Sequence, residues 1–145
     1  MSLSEILEEK QFIIIDDDDT TLFYTNAVIK RFFYYKDVIA FKYPRKAIEF
    51  FETTFSQNPS PMVVLLDINM PEFSGWDVLD RLKVLEIDIK EKLSVIMVSS
   101  SIDTRDKIKA SEYALVIGYI EKPLSIKKLK DLIELGQSTT SRSNG

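Results

Sequence analysis

Four consecutive aspartates, Asp16 to Asp19, follow directly on the apolar run Phe12–Ile15. Like charges ~4 Å apart repel by ~1 kcal/mol in water and ~4 kcal/mol at an effective dielectric of about 20, so a cluster this dense calls for a positive partner. The 145 residues contain no cysteine and no histidine. That excludes disulfides, thiolate or imidazole metal sites, a cysteine nucleophile and Ser-His triads. Chemistry is left to Asp, Glu, Ser, Thr, Tyr, Lys and Arg. A hard divalent cation such as magnesium takes oxygen ligands, few of them from protein, and keeps waters or phosphate oxygens in the rest of its shell. Two or three carboxylates suffice to hold it.

Three more chemistry-bearing residues stand just after apolar runs: Asp67 ends "MVVLLD", Ser99 ends "VIMVS", and Lys122 follows "GYIE". Each has an ordinary explanation in isolation. Aspartates ahead of a helix are commonly N-caps contributing ~1 kcal/mol, and Asp18 or Asp19 caps the stretch from Thr20 to Phe33. Asp16 and Asp17 sit too close to the strand for that, which leaves a metal role or a solvated acidic turn. Asp67 alone is a loop carboxylate, "NMPEFSG" a loop marked by Pro and Gly, and Lys122 a solvated charge. At the ends of four strands of one sheet, however, they form a rim of carboxylates, a hydroxyl and an ammonium. Such a rim suits a trigonal anionic group whose charge grows during transfer, which describes a phosphoryl group. Asp67 is then the nucleophile, because a carboxylate can form an acyl phosphate while a metal screens the approach of two anions.

That convergence requires a particular fold. The runs Phe12–Ile15, Met62–Leu66, Val95–Val98 and Leu115–Ile120 are short and rich in β-branched residues, and read as strands buried on both faces. A more mixed stretch, "DVIAFKY" at 37–43, suits an edge strand. Between them apolar residues recur three or four apart: Leu22, Ile29, Phe32 and Phe33; Ala47, Ile48, Phe51 and Phe55; Trp76, Leu79, Leu82 and Leu85; Ile126, Leu129, Leu132 and Ile133. Those spacings predict helices. From Asp103 to Leu115 only Ile108, Ala110, Ala114 and Leu115 are apolar, so that helix is expected to dock least firmly. Strand and helix alternate five times, which calls for a parallel sheet with right-handed crossovers, a doubly wound α/β domain of the (βα)5 kind. Ligands of such sheets bind outside the carboxyl ends of the strands, where these residues stand.

A hydrophobic content of 45% with 29% charged residues fits a single globular domain. The net charge of -4 supplies no field for a phosphate backbone, so no nucleic-acid partner is expected. The acidic N-terminus has no signal-peptide pattern, and the longest apolar run, Ala114 to Ile120, is too short for a membrane span. The expected location is cytoplasmic, with no membrane partner. The closing "GQSTTSRSNG" is small and polar, giving an expected domain at 10–136 and a disordered polar tail at 137–145.

The residues from about 10 to 136 resemble the receiver domain of two-component response regulators, here of the stand-alone, single-domain type. "IIIDDD" resembles the family's acidic pair and implies Asp16 and Asp17 as magnesium-site carboxylates, Asp17 the more direct ligand. "LLDINMPEFSG" resembles the phosphoacceptor loop, implying Asp67 as the phosphorylated residue and a metal ligand, with the backbone carbonyl of Asn69 a further ligand. "VIMVSSS" implies Ser99 and Ser100 as phosphoryl-binding residues, and "GYIEKP" implies Lys122 as the lysine that pairs with phosphoryl oxygens, followed by a cis bond to Pro123. Tyr119 falls where many receivers carry an aromatic that turns inward as the Ser or Thr moves toward the phosphate. The resemblance also implies a flavodoxin-like strand order, 2-1-3-4-5.

The implied function is a phosphorylation-dependent switch, charged by a histidine kinase or histidine phosphotransfer protein and read by an unknown downstream protein. It implies Mg2+-dependent self-phosphorylation and autodephosphorylation, and no enzymatic turnover of an external substrate. Two alternatives are a receiver-like binding module that works without phosphorylation and the receiver part of a larger multidomain regulator. A phosphohydrolase of the haloacid-dehalogenase type needs a second aspartate two residues after the nucleophile, where this chain has Asn69. Ser99 replaces the commoner threonine, and the missing methyl no longer restricts the hydroxyl's rotamer. Glu121 stands where an apolar residue is usual, and Asp18 and Asp19 make the turn unusually acidic. Asn69 and Ser101 resemble positions that tune dephosphorylation.

Overall fold

The most apolar stretches of the chain cannot face water on either side, and they become strands covered by helices above and below. The computed structural model describes residues 10–33, 37–101 and 103–132. Its five strands are β1 (Gln11–Ile15), β2 (Val38–Phe41), β3 (Met62–Asp67), β4 (Leu93–Ser99) and β5 (Val116–Glu121). They form one parallel sheet in the order β2-β1-β3-β4-β5. The helices between them are α1 (Asp19–Phe33), α2 (Pro44–Phe50), α3 (Gly75–Leu82) and α4 (Thr104–Ser111), and α5 follows at 126–132. A single helical turn, Ile87–Lys90, precedes β4. The expected domain end at 136 and the tail at 137–145 lie outside the described residues.

Strand periodicity divides the core into two layers. Ile13, Ile15, Val64, Leu66, Val95 and Met97 face α2 and α3, meeting Ala47, Ile48, Phe51, Val78, Leu79 and Leu82. Their neighbours Phe12, Ile14, Val63, Leu65, Ile96 and Val98 face the other way, onto Val28 and Ile29 of α1 and Leu129 of α5. Every residue of β3 and β4 is buried, as the centre of a sheet wound on both sides requires. Helix α2 runs on into a π-helical turn, Phe51–Phe55. Phe51 and Phe55, four residues apart on one helix face, both lie in the core, where their rings meet edge to face at 5.6 Å.

One sequence expectation needs correction. The run at 115–120 is not buried on both faces: β5 is the sheet edge, with Ile117 40% and Tyr119 41% exposed. The physical reason lies in its neighbour. Helix α4 buries only Ala110, and its Ile108 faces solvent. The other face of β5 is closed by α5, which comes so near that a Cβ on Gly118 would lie 2.5 Å from Leu132 Cδ1. What holds α4 is an aromatic and ionic junction near its C-terminal end. Tyr113 stacks on Trp76 at 6.0 Å, its hydroxyl donates to Asp80 Oδ1 at 2.8 Å, and Lys109 Nζ sits 4.7 Å above the Trp76 ring. Among the described residues no helix is long and apolar enough to cross a membrane.

Candidate functional site

The four aspartates after β1 divide their tasks. Asp18 is the N-cap of α1: its Oδ1 accepts the Thr21 N–H at 2.9 Å, and that bond holds its carboxyl below the ordinary range. Asp19, in the first helical turn, pairs on the surface with Lys42 Nζ at 3.0 Å. Asp16 goes inward instead. Its backbone N–H still belongs to the sheet, donating to Phe41 O at 3.1 Å, and its buried carboxylate accepts the Asp18 N–H at 2.9 Å and the Lys122 ammonium at 2.8 Å. Asp17 is half-buried beside it.

Asp67 ends β3 and is 3% exposed. The loop that follows presses α3 onto it. Phe73 donates its N–H to Pro71 O at 2.8 Å across Glu72, whose φ of 68° is that of a tight γ-turn. Ser74 and Asp77 then form a reciprocal capping box that opens α3. Gly75 permits the approach: its N–H donates to Ile68 O at 2.9 Å, and a Cβ there would stand 2.4 Å from the Asp67 carbonyl oxygen. These contacts give each residue of "NMPEFSG" after Met70 a defined conformational task.

The Asp67 carboxylate receives the Asn69 N–H at 3.3 Å and the Lys122 ammonium at 3.3 Å, both on Oδ1. Burial, and after it the charge of Asp16, push its pKa up to about 6 against the opposing pull of Lys122 and Asn69. Burial acts to lower the Lys122 pKa, but the bonds and charges of Asp16 and Asp67 together outweigh it and raise the net value. Ser99, at the end of β4, is fully buried; its Oγ accepts from Asn69 Nδ2 at 3.0 Å and from the Ser101 N–H at 3.2 Å. The Ser99 carbonyl in turn accepts the Lys122 N–H at 2.7 Å, so ammonium and hydroxyl are registered by one backbone bond. The Lys122–Pro123 bond is cis.

The fold thus brings Asp16, Asp17, Asp67, Asn69, Ser99 and Lys122 to one rim. Ser100 is exposed, and it is the backbone of Ser101 that bonds to Ser99. Tyr119 faces outward with its ring 5.3 Å from Lys107 Nζ. Oxygens of Asp16, Asp17 and Asp67 lie within 4.8 Å of one another. Against three carboxylates Lys122 provides one positive charge, so the donor set is all oxygen and retains negative charge, which fits a hard divalent cation. Reasoning from sequence gave Asn69 a backbone-carbonyl role and a place resembling those that tune dephosphorylation, and missed its side-chain bond to Ser99. It also missed Gly75, whose signal was a glycine placed just after a Ser N-cap.

Comparison with known proteins now decides the family. The profile of the response regulator receiver domain matches residues 12–134. The chain belongs to the response regulator receiver domain family. A two-component response regulator from Cytophaga hutchinsonii is 29% identical, superposes with a TM-score of 0.77, and the match covers 89% of this chain and 97% of that one. A response regulator receiver protein from Dyadobacter fermentans is 25% identical with a TM-score of 0.75, over 87% and 96% of the two chains. The response regulator SaeR of Staphylococcus epidermidis is 36% identical over 70 residues, which are 46% of this chain and 27% of SaeR. The matched region is therefore about a quarter of that relative's length.

This receiver has the flavodoxin-like order 2-1-3-4-5 expected of it. The family is a phosphoacceptor switch of two-component signalling, not an enzyme with an external substrate, and it works with histidine kinases or phosphotransfer proteins. Receivers generally bind Mg2+ at acidic residues, and the cluster of Asp16, Asp17 and Asp67 supplies such residues here.

Proposed function

We propose that this receiver accepts a phosphoryl group on Asp67 from a phosphohistidine of a sensor kinase or phosphotransfer protein, and signals through contact with a downstream protein. One observation carries the reading: the buried Asp67 carboxylate shares its rim with Asp16 and Asp17, with the Lys122 ammonium 3.3 Å away and the buried Ser99 hydroxyl on the adjacent strand. In the transfer an Asp67 oxygen attacks phosphorus and the phosphorus–nitrogen bond breaks. Its electron pair stays with the imidazole, which takes a proton from water. With a pKa of about 6 the nucleophile is mainly ionised at neutral pH, so no general base is needed.

Lys122 pairs with the phosphoryl oxygens and Ser99 donates a hydrogen bond to one of them, with Ser100 beside it. Asp16, Asp17, Asp67 and the Asn69 carbonyl would hold Mg2+, which when bound supplies charge that screens the two approaching anions. Tyr119, exposed on β5, is the aromatic whose inward turn would carry the change to the surface shared with α4. The switch unit is residues 10–136.

The test is intact mass after incubation with a small-molecule phosphodonor and Mg2+, with and without chelator, on the parent and on Asp67→Asn. One added phosphoryl group requiring both the metal and Asp67 supports the switch. No adduct on folded, Mg2+-loaded parent overturns it in favour of a binding module that works without phosphorylation.

A further inference from the structure

Serine at position 99 raises a physical problem. Without branching at Cβ its hydroxyl is free to occupy three staggered rotamers, whereas a β-branched residue is stiff at χ1. Yet Ser99 is fully buried, and its Oγ has defined partners. Asn69 Nδ2 at 3.0 Å and the Ser101 N–H at 3.2 Å both donate to it, using its two acceptor lone pairs. Among the described residues the acceptor for its proton is the Ser101 carbonyl, at a long 3.4 Å. The hydroxyl is held firmly as an acceptor and loosely as a donor, leaving its proton available to a stronger acceptor at the rim. The Ser101 bond is local, two residues along the chain. The Asn69 bond reaches Ser99 from the loop after β3, and that loop also contacts the acceptor, because the Asn69 N–H donates to Asp67 Oδ1 at 3.3 Å.

We infer that the side chain of Asn69 is a positioning residue for Ser99, taking the place of the absent γ-methyl by fixing the rotamer and the direction in which the hydroxyl donates. Its backbone N–H on Asp67 and its side-chain amide on Ser99 make it a single link between acceptor and hydroxyl. The consequence for signalling rests on the proposed phosphorylation of Asp67; the orienting role in the resting protein does not. A residue that only filled space would be replaceable by any side chain of similar size, and its loss would not be compensated by a methyl group on another strand.

The experiment compares the parent, Asn69→Ala, Ser99→Thr and Asn69→Ala/Ser99→Thr. Vicinal Hα–Hβ couplings of residue 99, measured by NMR without phosphodonor, should show one dominant rotamer in the parent. Asn69→Ala should redistribute the populations by about fivefold, and the double variant should return to a single rotamer. In phosphodonor and Mg2+, the change in amide exchange along β4 and α4, scaled to the labelled fraction from intact mass, should fall in Asn69→Ala and recover in the double variant. Couplings that are already averaged in the parent, or unchanged in Asn69→Ala, overturn the inference. So does a full exchange response in Asn69→Ala. If the double variant does not fold, the couplings of the single variant decide. If the parent takes no phosphoryl group, the proposed function fails while the couplings still judge the role of Asn69.

Discussion

The ammonium of Lys122 lies 2.8 Å from Asp16 Oδ2, nearer than the 3.3 Å that separates it from Asp67 Oδ1. The lysine is therefore first the partner of Asp16 and only second that of Asp67. Removing it leaves two buried carboxylates without their shared cation. Lys122→Ala should lose ~3 kcal/mol in chelator, the low end for breaking a buried pair from one side. Mg2+ should restore much of that loss. Labelling of Asp67 should persist while the amide-exchange response around Ser99 and Tyr119 disappears. Denaturant melts with and without Mg2+, run beside intact-mass labelling, check both parts; equal stability of parent and variant in chelator would rule out the pairing as a stabilising contact.

The raised pKa of the Asp67 carboxyl predicts a pH dependence of the opposite sign to that of an ordinary ion-paired aspartate. Its pKa moves from 3.8 to about 6 because burial and Asp16 disfavour the charged form. The folded chain therefore favours the protonated carboxyl. That contribution is complete below pH 3.8 and is lost as pH rises through about 6, so at neutral pH the ionised group opposes folding. At ~1.4 kcal/mol per pKa unit the effect is on the order of 2–3 kcal/mol. Asp67→Asn should thus be more stable than the parent at pH 7.5 in chelator, with the advantage shrinking toward pH 4, and Mg2+ should stabilise the parent more than the variant. Thermal melts across this range test it, and a variant less stable than the parent at neutral pH would contradict the assigned repulsion.

Much of this was legible in the sequence, for reasons that can be located. β1, β3 and β4 announced themselves because central strands of a doubly wound sheet are apolar on both sides, and the residue ending each run was placed at the rim by topology alone. β5 misled because an apolar run does not reveal how well its neighbour covers it: the thin face of α4 leaves Ile117 and Tyr119 exposed. At the site, residue types and strand ends located Asp16, Asp67, Ser99 and Lys122. The division of four adjacent aspartates was only half legible, since Asp18 and Asp19 are equally plausible caps until the helix start is known. The amide of Asn69 on Ser99 joins the loop after β3 to the end of β4, 30 residues apart, and no periodicity encodes such a contact.

Gly75 offers a test of how closely α3 must approach Asp67. A methyl group there would meet the Asp67 carbonyl oxygen at 2.4 Å and Ile68 Cα at 2.9 Å, both backbone atoms that cannot swing aside. The helix start must shift, carrying the Asp67–Asn69 loop with it. Gly75→Ala should lose ~1–3 kcal/mol, as overpacking of a tight site does, and should slow labelling of Asp67 while leaving its dependence on Mg2+ in place. Denaturant midpoints and labelling rates report the two effects separately. Unchanged rates in a destabilised variant would mean that the loop geometry is set from β3 alone.

The junction between α3 and α4 should be visible as a displaced phenol. Burial and then the hydrogen bond to Asp80 push the Tyr113 pKa up to about 12, while the same bond draws the Asp80 carboxyl below its ordinary value. For the tyrosine the favoured form is neutral, so its contribution is whole below the unfolded value of 10.0 and is lost as pH rises through about 12. For the aspartate the favoured form is charged, so its contribution is present above 3.8 and is lost as pH falls through the depressed value. The difference between tyrosinate absorbance titrations of the parent and Tyr113→Phe should therefore be one phenol ionising near pH 12, and Asp80→Asn should bring that step down toward 10. The single tryptophan, Trp76, stacks on Tyr113 and should change its emission in the same step. A difference titration centred near pH 10 would show that the phenol is not held by Asp80.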